Sequence, residues 1–325
     1  MGRSIAIVLL AVLCSAAAVL AADAQQRAIF HLGVVREGGP DIAAVEGLEE
    51  GLKEFGLLEG RDYVLESRDL RGDPTAVRAA AASLEKQNVD IIFSIATSVT
   101  IGVKAATVRT PIVFAVGSDP VAAGLVQTLS KPGGRLTGVH YLTTDLTGKR
   151  LEILKQLLPN LHRVAAFYDP DNPVAVAAMK SAHDAARQLQ LEIVEAKVTS
   201  AQQLRNYLAA FKPGDADAFF YINDAMIRSQ SQLIIDTLKA KKIPTMFSFP
   251  SIAAQGALAG YGVSFREVGR LSARYVHEIL AGSRPGDLSV ESVDRVELTL
   301  NAATARAIGI SIPQAVRLSA SEVIE

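Results

Sequence analysis

Residues 89–120 read VDIIFSIATSVTIGVKAATVRTPIVFAVGSDP, and this stretch decides the fold. Residues 91–93 are a continuous apolar run of β-forming residues, typical of a strand covered on both faces of a parallel sheet. Thr97 and Ser98 then precede apolar residues at helical spacing, so one of these hydroxyls is expected to cap a helix. Pro111 ends that helix, and residues 112–116 form a second buried strand. The stretch therefore predicts one βαβ unit.

The same order of strand, polar loop, helix, proline and strand recurs at residues 216–250. Between and around the two copies, strands are predicted at 29–35, 63–67, 136–141, 163–168, 191–198, 258–263 and 295–300. Alternating strands and helices predict an α/β protein with two Rossmann-like lobes, each built on a parallel sheet. The strand at 258–263 is interpreted as a crossover back to the first lobe, and the strand at 295–300 as a further crossover.

The composition favours a globular protein of two ordinary domains. The chain has 325 residues, of which 49% are hydrophobic and 21% charged, and its net charge is -1. It contains no basic block, and a nucleic-acid partner is therefore not expected.

The first 24 residues are expected to be a secretory signal peptide. A short cationic start precedes an apolar run, and an Ala-x-Ala sequence at residues 22–24 predicts cleavage after Ala24. A retained membrane anchor is one alternative. A lipoprotein acylated at Cys14 is another, but Leu13 stands where a small residue is expected. The mature chain would then have no thiol, and no other apolar run is long enough to insert into a membrane.

Polar residues at the carboxyl ends of strands are the candidate ligand contacts, because open α/β sheets bind ligands there. In the first lobe, amides and hydroxyls at a helix start favour anions such as carboxylates. Helix capping alone is the alternative for each of them. The first-lobe candidates are Thr97, Ser98, Thr100, Ser118 and Asp119.

The second lobe offers acidic and amide side chains at the matching positions. Asp224 could neutralise an ammonium group while Asn223 forms hydrogen bonds, with capping again the alternative. Asp169, Asp171 and Asn172 follow another strand, although the flanking prolines are also typical of a rigid turn. Three aromatic residues could stack on a flat ligand or belong to the core, namely Tyr141, Phe247 and Phe249.

Enzymatic and metal sites lack sequence support. The five histidines show no paired spacing, and there is no Gly-x-Ser-x-Gly motif. The loop after the first strand contains Gly38 and Gly39 but does not form the Gly-x-Gly-x-x-Gly motif of dinucleotide-binding proteins. No cofactor, metal or catalytic activity is expected.

Several motifs occur in one order over nearly the whole mature chain. They are Gly47-x3-Gly51-Leu52-x2-Phe55-Gly56-x3-Gly60-Arg61, Gly72-Asp73-Pro74, Asp119-Pro120-Val121-x2-Gly124-Leu125-Val126, Pro132-Gly133-Gly134-x2-Thr137-Gly138, Gly148-Lys149-Arg150-Leu151-Glu152 and Gly256-Ala257-Leu258-Ala259-x-Tyr261-Gly262. With these motifs the chain resembles the substrate-binding proteins of ABC transporters, in the branch that includes tryptophan- and tyrosine-binding proteins. It departs from them at Val263-Ser264, where family members often carry an acidic residue.

The resemblance implies a type I periplasmic-binding-protein fold and capture of a small solute between the lobes, followed by delivery to an ABC permease with its ATPase. The expected lobes are 25–142 plus 263–284, and 143–262 plus 285–325. Hinge residues, whose backbone rotates when the lobes close, are expected at Leu142, Thr143, Thr144, Tyr261, Gly262 and Val263.

The expected ligand is an amino acid or a small carboxylate, since the loops offer both donors and acceptors and the chain has no Trp for sugar stacking. The protein is expected to be periplasmic and monomeric. A periplasmic sensor that presents its closed form to a signalling receptor is one alternative function, and a secreted α/β enzyme is another.

Overall fold

The computed structural model describes residues 29–141 and 146–325. Within these ranges the strands are β1 (Phe30–Arg36), β2 (Tyr63–Asp69), β3 (Ile91–Ile95), β4 (Ile112–Val116), β5 (Leu136–His140), β6 (Arg163–Tyr168), β7 (Glu192–Lys197), β8 (Ala218–Phe220), β9 (Thr245–Phe247), β10 (Ala259–Gly262), β11 (Glu291–Ser292), β12 (Glu297–Asn301) and β13 (Glu322–Ile324). Each strand predicted from the sequence has a counterpart among them.

The α-helices of the same ranges lie between these strands and at the C-terminal end. They are α1 (Ile42–Glu54), α2 (Val77–Lys86), α3 (Thr97–Ala106), α4 (Thr147–Leu157), α5 (Pro173–Leu189), α6 (Ala201–Ala210), α7 (Ala225–Ser229), α8 (Ser231–Ala240), α9 (Phe265–Leu280), α10 (Ala302–Ile308) and α11 (Gln314–Ser319). Short 3-10 turns occupy Gly39–Asp41, Pro74–Ala76, Pro250–Gln255 and Pro285–Asp287.

The first lobe is built on a six-stranded sheet in the order β11-β5-β4-β3-β1-β2, with every pair parallel. All residues of β3 and β4 are buried, as expected for strands with both faces covered. The quoted βαβ unit therefore forms the centre of this sheet.

The second lobe is built on a seven-stranded sheet in the order β13-β12-β10-β9-β8-β6-β7. Its pairs are parallel except for β10 and β12, which run antiparallel. The second βαβ copy supplies β8 and β9 at the centre of the sheet. This arrangement confirms the predicted α/β class with two parallel-dominated lobes.

The chain crosses between the lobes after β5, after β10 and after β11. The predicted division placed residues 285–325 in the second lobe, whereas Glu291 and Ser292 pair with β5 of the first sheet. Thr137 of β5 also donates a hydrogen bond of 2.7 Å to the carbonyl oxygen of Leu288. The first lobe thus extends to Ser292, and the prediction was wrong there because a two-residue strand leaves no periodic pattern.

Of the predicted closure residues, Tyr261, Gly262 and Val263 lie at the end of β10, directly before the second crossover. Leu142, Thr143 and Thr144 fall outside the described residues, as do the expected signal peptide and Cys14.

The segment between Asp119 and Leu129 forms no helix. Residues 120–124 make turns instead. Gly124 has a φ of 66°, and this left-handed backbone conformation is incompatible with a right-handed helix. The Asp119 carboxylate accepts hydrogen bonds from the amides of Val121 and Ala122, at 2.8 and 3.2 Å. The Asp119 side chain therefore stabilises a local turn here.

Candidate ligand-binding site

A cavity of about 320 Å³ lies between the two lobes, at the carboxyl ends of their strands. This volume is at the lower end of the range for small-molecule sites, about 300–1,000 Å³. Loops and helix starts of the first lobe contribute Glu37, Pro74, Thr75, Ser98 and Ile101. Those of the second lobe contribute Asp169, Asp171, Asn172, Pro173, Val174, Thr199, Asp224 and Met226.

Asp224 organises the second-lobe wall of the cavity. Its Oδ1 accepts a hydrogen bond from the amide of Ile227 at 3.0 Å, which caps α7. Its Oδ2 accepts hydrogen bonds from the amide of Asp169 at 3.0 Å and from Nδ2 of Asn172 at 3.4 Å. Burial raises the pKa of this carboxyl, while the hydrogen bonds from Ile227, Asp169 and Asn172 favour its ionised form. Asp224 thus caps a helix and also lines the cavity.

Asp169 and Asn172 are held by the same loop. Oδ1 of Asp169 accepts a hydrogen bond from the amide of Asp171 at 2.9 Å, and Oδ1 of Asn172 caps α5 by accepting from the amide of Val174 at 3.1 Å. Of the flanking prolines, Pro170 belongs to the turn that the sequence predicts here, and Pro173 begins α5. The turn and the cavity wall are therefore the same structure.

The first-lobe candidates divide between the cavity and the interior. Ser98 lines the cavity. Thr97 and Ser118 face each other instead, with their hydroxyl oxygens 2.9 Å apart, and this contact links the loops after β3 and β4. Thr100 is fully buried and donates to the carbonyl oxygen of Ala96 at 2.8 Å, while Asp119 serves the turn described above. Of these five predicted residues, the structure places only Ser98 against the cavity.

The aromatic candidates lie in the core rather than in the cavity wall. Phe247 is fully buried, with its ring centroid 5.4–5.6 Å from those of Phe219, Tyr221 and Phe249. Tyr141 packs on Phe265 with centroids 5.7 Å apart. Stacking of these rings on a flat ligand is therefore not possible in this arrangement, because their faces are covered by protein.

Asn223 also lies outside the cavity lining and bridges the lobes. Its Nδ2 donates to the carbonyl oxygen of Gly117 at 3.4 Å. The second-lobe loop after β8 thus touches the first-lobe loop after β4, and the two lobes are in direct contact beside the cavity.

Glu37 is the charged residue among the cavity-lining residues that the sequence reasoning missed. It follows β1, and its side chain is 1% exposed. Burial, followed by the negative charge of Asp224, raises the pKa of Glu37 to about 8. The sequence does carry a signal for it, because Glu37 stands at the carboxyl end of a strand like the other candidates.

Residues 34–324 match the family described as ABC transporter substrate binding protein. The chain belongs to this family. A tyrosine-binding protein of Clostridioides difficile (strain R20291) is 27% identical over 266 residues, which are 82% of this chain and 76% of that protein. Membership agrees with a cleft built from the facing strand ends of two lobes.

Solved structures share the fold of this ABC transporter substrate-binding protein. A conserved domain protein from Vibrio cholerae is 29% identical with a TM-score of 0.82, covering 90% of this chain and 99% of that chain. An ABC domain from Streptococcus pneumonia in complex with L-Trp is 24% identical with a TM-score of 0.80, covering 91% and 100%. These matches confirm the type I periplasmic-binding-protein fold. None of the helices within 29–141 and 146–325 has the length and apolar character needed to span a bilayer.

Proposed function

We propose that the protein is an extracytoplasmic solute-binding protein that captures an amino acid or a small carboxylate between its lobes and delivers it to an ABC permease. The observation that carries this proposal is the cavity, because both lobes contribute polar groups to its lining. A ligand held there contacts both walls at once, so it binds the closed form more tightly than the open form. Such differential affinity is what shifts a two-state protein towards closure.

The lining supports a solute with polar and apolar parts. Ser98, Thr75 and Asn172 offer hydrogen bonds, while Ile101 and Met226 offer apolar contact. The first turn of α3 begins beside Ser98, and the free amides of a helix start favour a carboxylate. The tyrosine-binding relative also supports an amino acid as the ligand.

Secretion and a permease partner belong to the same proposal. The signal-peptide pattern at residues 1–24 sends the chain to the periplasm, where the closed form docks on a permease with its ATPase. Uptake of the bound solute, measured with radiolabelled compound in cells with and without the gene, tests delivery. Equal uptake in both strains contradicts it and favours a sensory role.

A thermal-shift screen of amino acids, carboxylates, nucleosides and sugars tests the binding function. A ligand at about 100 times its Kd adds about 2.7 kcal/mol of stability, so a clear rise in Tm is expected with an amino acid or a carboxylate. Val174 lines the cavity, so the larger side chain of Val174→Trp should occupy the space of the ligand and abolish the rise in Tm.

The matched control is Val176→Trp on the same helix. Val176 is 45% exposed and does not line the cavity, so this variant should keep the rise in Tm. If no compound of the four classes raises the Tm of the wild-type protein, or if Val174→Trp responds like the wild type, the proposal fails.

A further inference from the structure

We infer that the solute carries a positively charged amino group, that Glu37 and Asp224 hold this group together, and that Glu37 decides between an amino acid and a simple carboxylate. The inference rests on the proposed function and names the chemical class of its ligand. It is carried by the charge of the cavity and by the environment of the Glu37 side chain.

The cavity wall is acidic. Among the described residues that line it, four carry carboxyl groups and none is Lys, Arg or His; the four are Glu37, Asp169, Asp171 and Asp224. Within 29–141 and 146–325, no three His, Cys, Asp or Glu side chains are close enough to hold a metal ion together. An organic cation is therefore the complementary ligand.

One carboxyl oxygen of Glu37 lacks a hydrogen-bond partner in the part of the chain that the structure describes. This oxygen, Oε2, is buried and accepts no hydrogen bond there, although the residue lines the cavity. A buried acceptor left without a donor is destabilising, because no hydrogen bond offsets the loss of its contacts with water. An ammonium group supplies three N–H donors and one positive charge, which satisfy this oxygen and still reach a second acceptor.

The charged groups around Glu37 do not satisfy it. Arg228 is the nearby cation, but its guanidinium forms an ion pair with Asp41, with Nε 2.7 Å from Oδ1. Asp224, Asp41 and Asp73 act on Glu37 as negative charges. Asp224 accepts three hydrogen bonds that favour its ionised form, whereas Oε2 of Glu37 accepts none, and the pKa of Glu37 is raised to about 8.

A proton on Glu37 makes ligand binding depend on pH. With its pKa at about 8, Glu37 is neutral near pH 7 and must lose its proton to pair with an ammonium group. Affinity for an amine should therefore rise about tenfold per pH unit up to about pH 8 and then level off, by linkage. A carboxylate without an amine gains nothing from this deprotonation.

The test uses matched pairs that differ only in the amino group, such as L-tyrosine with 3-(4-hydroxyphenyl)propionate and L-leucine with 4-methylpentanoate, extended to the other common amino acids. Calorimetry on the full mature chain at about pH 6, 7 and 8.5 gives each Kd. In a pair that binds, the amino acid should have a Kd at least tenfold lower than its analogue without the amino group at about pH 8.5. The analogue lacks one charged contact.

Glu37→Gln should weaken binding of the amino acid at least tenfold at about pH 8.5 and flatten its pH dependence, while its Tm without ligand stays close to that of the wild type. Asp73→Asn is the matched control. It removes a charge near Glu37 from a residue that does not line the cavity. Asn can still accept the hydrogen bond from the amide of Thr75, so the dependence of affinity on pH should persist.

Equal binding of both members of a pair, or an unchanged slope in Glu37→Gln, overturns the inference and leaves the proposed function standing. If no member of any pair binds and no carboxylate raises the Tm, the proposed function itself fails, and the inference fails with it.

Discussion

A Cβ atom placed on Gly47 would lie 1.9 Å from the backbone carbonyl oxygen of Arg266. Gly47 belongs to α1 and Arg266 to α9, so the two helices cross in backbone contact. Gly269 of α9 meets the carbonyl oxygen of Ala44 at the same distance. The motif glycine at position 47 is therefore required by close helix packing.

Gly47→Ala should lower the free energy of unfolding by about 3 kcal/mol, the upper part of the range for overpacked sites, because a backbone oxygen cannot rotate away. Urea unfolding measures the change. Gly148→Ala is the matched control, since a Cβ there meets only the Ala185 methyl at 3.7 Å. It should stabilise α4 by about 0.5–1 kcal/mol. Equal effects of the two substitutions would contradict the close crossing.

Glu85 at the end of α2 should make stability depend on pH in acid. Its Oε1 accepts hydrogen bonds from the amides of Val108, Arg109 and Thr110 at 2.9, 2.7 and 3.0 Å. Burial acts to raise the pKa of Glu85, but the bonds from these three amides outweigh it and lower the pKa to about 2.

Because the folded pKa lies below the ordinary value of 4.5, the stability that Glu85 contributes is full above pH 4.5 and is lost as pH falls towards about 2. Glu85→Gln should cost about 1–2 kcal/mol at neutral pH, and the difference from wild type should shrink towards pH 2–3. Urea midpoints across this pH range provide the measurement. A constant difference at every pH would show that the charge of Glu85 plays no part.

The sequence predicts the fold well because its signals are local. The buried runs at residues 91–95 and 112–116 are continuous, and Pro111 separates helix from strand. Strands β11 and β13 have two and three residues, which is too short for any period to be visible. Their membership of a sheet is decided by distant partners.

The candidate site is predicted only in part, for the same reason. Asp169, Asn172 and Asp224 follow from the rule that ligands bind at strand ends. The same rule does not say which way each side chain turns. Phe247 packs in the core against Phe219 and Phe249, whereas Glu37 lines the cavity together with residues of the second lobe. Both outcomes depend on packing between segments far apart in the chain.

Asp224 should contribute to the stability of the second-lobe loops as well as to binding. In Asp224→Asn, the amide NH₂ would face the N–H groups of Asp169 or Ile227, which need an acceptor. A loss of about 1–2 kcal/mol is expected, with faster amide hydrogen exchange at Asp169 and weaker ligand binding.

Asp119→Asn is the control for Asp224→Asn. Asp119 also caps a turn, but it is exposed and lies outside the cavity lining. Asn caps about as well as Asp, so stability and binding should both stay unchanged within about 0.5 kcal/mol. Equal losses of stability and binding in the two variants would contradict this role of Asp224.

The buried ion pair between Asp41 and Arg228 should control lobe closure, because its partners come from different lobes and are 0% and 3% exposed. Nη2 of Arg228 also donates to Oδ2 of Asp41 at 3.2 Å. Removing one partner of a buried pair costs about 3–5 kcal/mol when the remaining charge stays buried. Lobe separation avoids that cost by hydrating Arg228, so Asp41→Asn should favour an open form without unfolding the protein.

Small-angle scattering should therefore give a larger radius of gyration for Asp41→Asn, with weaker ligand binding. Adding Arg228→Met removes the unpaired charge and should restore the compact form. Asp287→Asn, which breaks the exposed pair with Arg284, should change neither property, since surface pairs contribute only about 0–1 kcal/mol. If Asp41→Asn keeps the radius of gyration and the ligand affinity of the wild type and only has a lower Tm, the ion pair stabilises the fold and does not govern closure.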